Sequence, residues 1–65
     1  MINEDQLQHE IEVAQRNLDH HNDEWTDAFN NNKPNLPYHE QRIIELQAEI
    51  RVLKQLGERF FGWNN

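Results

Sequence analysis

The sequence predicts an all-α protein built as a two-helix antiparallel hairpin that dimerises into a four-helix bundle. Two observations predict the hairpin: apolar residues recur with a heptad period in two separate stretches, and one short run of turn formers separates them. A third predicts the dimer, since the second helix carries more apolar surface than one partner helix covers. The reading is a single domain over 1–65, with helix 1 at about 4–30, a loop at about 31–36, helix 2 at about 37–60 and an aromatic tail at 61–65.

Helix 1 opens on Asn3, which is placed to cap it, with Gln6 three residues on to reach back and Ile2 to staple onto Leu7. Glu4 and Asp5 suit the positive end of the helix dipole. From there Leu7, Ile11, Ala14, Leu18, His21, Trp25 and Ala28 recur at alternating spacings of 4 and 3, which makes one seam down one face. His21 alone breaks its apolar character, and it reads as a core imidazole whose neutral form is favoured by burial.

The stretch Asn30-Asn31-Asn32-Lys33-Pro34-Asn35-Leu36-Pro37 gathers turn formers, and Pro37 suits the first position of the next helix, where its missing amide costs nothing. In helix 2, Ile43, Leu46, Ile50, Leu53, Gly57 and Phe60 repeat the same alternation of 3 and 4. A short connection between matched heptads gives an antiparallel pair, with facing residues whose numbers sum to roughly 68 to 71. The hairpin core is therefore expected to contain Leu7, Ile11, Ala14, Leu18, His21 and Trp25 from one helix, and Ile43, Leu46, Ile50, Leu53 and Phe60 from the other. Gly57 reads either as a helix stop or as a small residue that lets the other helix approach.

Beyond its seam, helix 2 adds Ile44, Ala48, Val52 and Leu56, the expected oligomer interface, whereas helix 1 adds only Val13 and Phe29. The ending GERFFGWNN is expected to close the open end of the hairpin, with Phe60, Phe61 and Trp63 covering the first turns of helix 1. Phe60 is expected to be buried in the seam, and Trp63, past Gly62, at least half exposed and available to a partner.

Composition narrows the function. A chain of this length has a core barely sufficient to offset conformational entropy, and without cysteine it cannot use disulfides, so oligomerisation is the expected supplement. Twelve acidic against six basic residues give a net charge of −6, which opposes non-specific attraction to nucleic acid and anionic lipid. The acidic start lacks the pattern of a signal peptide and no stretch approaches a membrane span, so a cytoplasmic protein is expected, with no membrane contact.

No enzyme is expected, because the chain has no Ser or Cys to act as nucleophile and no glycine-rich phosphate loop. His20 and Glu24 have a spacing that suits two ligands on one helical face, yet none of His9, His20, His21 and His39 has Glu three residues before it, as bundle metal sites require. No metal and no cofactor are expected. Charge is uneven: helix 1 holds Glu4, Asp5, Glu10, Glu12, Asp19, Asp23, Glu24 and Asp27 against Arg16 alone, while helix 2 is balanced. Asp19, Asp23 and Asp27 lie away from the seam and are candidates to meet a basic partner.

These readings point to a small acidic protein-binding module, or modulator of a larger partner protein, that acts as a homodimeric helical bundle. A small helical dimer of the Rop kind, which binds RNA through one face of its bundle, is an alternative; the likeness is architectural and no motif is shared. A plain oligomerisation unit is the third reading. Size, acidity and helical simplicity are also similar to those of many small bacteriophage or plasmid accessory proteins.

Overall fold

Asn3 begins the first helix through a complete capping box in the computed structural model, which describes residues 3–63. Its side chain accepts from the Gln6 amide at 2.8 Å, and its own amide donates to Gln6 Oε1 at 3.1 Å. Two donors that the first turn leaves without helical partners are thereby satisfied. The expected Ile2 staple lies outside the described residues. Helix α1 runs over Glu4–Asn30 and helix α2 over Leu36–Phe61, and the two pack against each other as an antiparallel hairpin with Cα extents of 44 × 20 × 15 Å. Among the described residues no helix is long and apolar enough to cross a membrane.

The turn is made by asparagines. Asn31 ends α1 by donating from its amide and its side chain to the Asp27 carbonyl, and Asn32 adopts a left-handed φ of 54°, which Asn tolerates better than most residues. The Lys33 amide then turns back to the Ala28 carbonyl at 2.9 Å. α2 starts one residue earlier than expected, so Pro37 is its second residue; there too the proline's missing amide is one the first turn leaves unpaired.

The core is narrow. Ala14, Leu18, Leu46 and Ile50 are buried together, with Ile43 packed against them; Leu7 is buried towards the open end and Ala28 near the loop. Ile11, Trp25, His21 and Leu53 are only partly buried, as expected of seam edges in a hairpin whose second side faces solvent. Four large apolar side chains, Leu7, Leu18, Leu46 and Ile50, are buried among the described residues, Leu7 and Leu46 fully, each contributing about 1.5 to 3 kcal/mol.

Two expectations are corrected here. The cross-helix pairs His21 with His39 and Trp25 with Glu40 have numbers summing to 60 and 65, so the register lies at lower sums than the expected 68 to 71. Phe60 is not buried in the seam: it is 64% exposed and continues the outward row Ile44, Ala48, Val52 and Leu56 at the same interval of four. Gly57 takes the buried end position instead.

Candidate interaction surfaces

The outer face of α2 is apolar. Ile44 is 66% exposed and Val52 54%, Ala48 is exposed between them, Leu56 is partly buried, and Phe60 extends the row. These five residues follow one another at intervals of four, so they form a single oblique ridge on the helix. Val52 and Leu56 on that ridge, with Gln55 and Arg59 on the next, border a shallow groove. None of this surface is covered by α1, and single exposed apolar residues are ordinary where a continuous row of them is not.

α1 presents the opposite character. Asp5, Glu12, Asp19 and Asp23 are exposed, and Asp19 accepts a hydrogen bond from Gln15 at 3.1 Å along the helix. Asp27, the third carboxylate expected to meet a basic partner, differs from Asp19 and Asp23 in holding a cation of its own chain while its side chain stays 46% exposed. Its carboxylate is held by the Lys33 ammonium and the Asn31 amide group, and the lysine's hydrogen bond and charge lower its pKa from the ordinary carboxylate value. Lys33 is raised by the same contact. α1 has no basic residue in its last turn, so Lys33 also supplies from the loop the cation that a helix C-terminus favours.

A ring cluster closes the seam beside the loop. His21 Nδ1 and His39 Nδ1 face each other at 3.0 Å, Tyr38 meets both rings edge-on, and His20 meets His21 edge-on. His39 is buried, and its Nε2 lies 3.1 Å from the Asn35 side-chain amide. If that amide donates, His39 carries its proton on Nδ1 and donates to His21; with the amide turned over, both roles reverse. Either way one proton lies between the two facing nitrogens. Desolvation lowers the His21 pKa, the neighbouring His39, Arg42 and His20 lower it further, and Glu24 only partly opposes them. Asn35 bonds His39 and makes no side-chain cap to its own helix.

The tail reaches back over the first turn of α1, as expected of it, but through Trp63 and not Phe60. Trp63, expected to be at least half exposed and open to a partner, is mostly covered: its indole N–H donates to Glu4 Oε1 at 2.7 Å and its ring lies over Gly57. A Cβ at position 57 would overlap that ring, so the glycine is the small residue that admits a close neighbour, and the neighbour is the chain's own tail. Gly62, with a left-handed φ of 69°, is the helix stop that turns Trp63 back, and the Trp63 amide reaches the Gly57 carbonyl at 3.3 Å. Phe60 and Trp63 thus exchange the roles expected of them.

Sequence reasoning missed His39, although extending the second seam back by four residues from Ile43 reaches it. It also missed Glu4 and Glu40 as indole acceptors, for which no local pattern exists. His20 and Glu24 are joined by no third ligand: among the described residues no group of three or more His, Cys, Asp or Glu is arranged to hold a metal ion. The chain matches no protein-family model, no characterised protein and no solved structure.

Proposed function

We propose that this chain acts without chemistry, as a homodimeric module of two hairpins whose α2 helices form the subunit interface and whose α1 helices offer acidic faces to a larger partner protein with a basic surface. The observation that carries this reading is the division of labour between the outer faces. Ile44, Ala48, Val52 and Leu56 lie on one helix, and the exposed carboxylates Asp19 and Asp23 on the other. A face of one charge steers and selects oppositely charged partners, and an uncovered apolar row favours association. Pairing through α2 buries the row and leaves both acidic faces outward, forming a four-helix bundle. The same charge disfavours nucleic acid and anionic lipid.

Capture experiments at low and high salt test the partner half of the proposal, using the full chain and the Asp19→Asn, Asp23→Asn double variant. A basic protein retained by the parent at low salt, released at high salt and not retained by the variant is the expected result. Retention that survives neutralisation at physiological salt overturns the role of the acidic face, and recovery of RNA instead of protein replaces it with a nucleic-acid reading.

A further inference from the structure

We propose that α2 docks on α2 of a second copy in an antiparallel, crossed arrangement, the ridge Ile44, Ala48, Val52, Leu56 and Phe60 of each chain entering the groove beside the other's ridge, with the two-fold axis beside Val52. This rests on the reading of α2 as the homodimer interface, adds its direction, and replaces the aligned four-helix bundle by a crossed pair of hairpins.

The step between ridge residues decides the crossing. Residues four apart advance slightly more than one helical turn, so the row drifts round α2 and never forms the straight seam of an aligned bundle. Two such rows lie alongside each other when the helices cross at about −50°, each ridge resting in the groove next to the other. That groove is already formed between Val52 and Leu56 on one bank and Gln55 and Arg59 on the other. Ala48, the smallest member of the row, gives the axes room to approach.

Charge decides the direction. An antiparallel pair centred on Val52 sets Ala48 against Leu56 of the partner subunit and Ile44 against Phe60 of the partner subunit. It also brings Glu45 to Arg59 of the partner subunit, twice by symmetry. A parallel pair would oppose Arg59 to its own copy and Glu45 to its own copy. Glu45 presently meets Arg42 at 3.5 Å on the exposed surface, a contact weak enough to exchange.

Area leaves room for a standard interface. The chain exposes 5018 Å², whereas a compact folded monomer of 7.9 kDa exposes about 4,400 Å². The excess, roughly 600 Å², approaches the ~800 Å² that each partner contributes to a standard stable interface. The self-complementary ridge fits a copy of itself, and the exposed Phe60, unexplained by the hairpin alone, gains a place.

The chain has no cysteine, so single cysteines report the geometry without interference. Ile44→Cys, Val52→Cys and Leu56→Cys variants, with helix content checked by circular dichroism, are oxidised at micromolar concentration alongside sedimentation of the parent. Val52→Cys should cross-link about tenfold faster than Ile44→Cys or Leu56→Cys alone, since a disulfide needs Cα atoms within about 7 Å. Mixing Ala48→Cys with Leu56→Cys should give the heterodimer. Glu45→Arg and Arg59→Glu should each weaken association and restore it when combined. A dimeric parent in which all positions cross-link equally, or in which the combined charge swap fails to restore association, overturns this geometry and leaves α2 self-association standing. A parent that stays monomeric overturns both.

Discussion

At the loop end, α1 and α2 meet through His21 and His39, Trp25 and Glu40, with Asp27 holding Lys33 of the turn; at the open end they meet through Leu7, Gly57 and the Trp63 indole on Glu4. Each end uses a tryptophan N–H donated to a glutamate of the other helix, at 3.1 Å and 2.7 Å. What differs is the filling. The loop end packs rings that carry protons, and the open end packs a leucine and an indole against a bare backbone. A hairpin with so narrow a core closes its ends separately, and the two closures respond to different perturbations.

The largest effect should come from the core between them. Leu46→Ala removes one of the two large side chains that are fully buried, and should cost about 2 to 5 kcal/mol, enough to abolish cooperative melting in a chain of this size. Leu53→Ala, at a partly buried position, should cost less and leave a measurable transition. Equal losses would show that the core is wider than Ala14, Leu18, Leu46 and Ile50.

Gly57→Ala sharpens the description of the open end because its sign is diagnostic. In a free helix this exchange stabilises by roughly 0.5 to 1 kcal/mol, whereas here the added methyl meets the Trp63 ring and should destabilise by about 1 to 3 kcal/mol. In a Trp63→Ala background the same exchange should become stabilising. Thermal melts of the four combinations measure the coupling, and two additive single effects would show that the ring does not lie on the glycine.

Acid separates the ends. His21 is neutral in the fold and its pKa lies below the ordinary histidine value, so below about pH 6.5 the unfolded chain binds more protons than the folded one. Stability is then full above that pH and falls as pH drops through it. His21→Asn keeps a hydrogen-bonding group without titrating, and its melting temperature should vary less between pH 7.5 and pH 5.5, conditions chosen to span about 6.5. A parent that gains stability on acidification in that window would mean that Glu24 and an imidazolium form the dominant contact.

The smallest effect concerns Asp27. Its pKa is depressed by Lys33, so its contribution is present above the ordinary carboxylate pKa, near 4, and is lost as pH falls through its own lower value. Asp27→Asn should lower the melting temperature slightly and speed amide exchange at Asn31 and Lys33, with α2 unaffected; unchanged exchange would show that the exposed ion pair does not hold the turn.

Much of the architecture was legible in the chain. The two heptad runs located both helices, Asn3 and Gln6 announced the capping box, and Leu18, Leu46 and Ile50 stood at core positions, because each of these signals lies within a few residues of the structure it specifies. The exposed row on α2 was visible for the same reason. Hidden from the sequence were the partners that depend on register: His39 opposite His21, Glu40 beneath Trp25, Glu4 beneath Trp63, and Lys33 on Asp27.

The sequence by itself therefore determined the helices, the inward stripe of each and the acidic and apolar characters of their outer faces, since these follow from periodicity and composition. Only the tertiary structure decided which end residues are covered. With Asn32 left-handed and α2 starting at Leu36, α2 meets α1 at lower register sums than the heptads suggested. Heptad spacing is blind to such a shift, because sliding one helix past another by a turn keeps both apolar stripes facing and changes only the pairs. The fold leaves Phe60 in solvent on the outward row, and the left-handed Gly62 turns Trp63 back over Gly57.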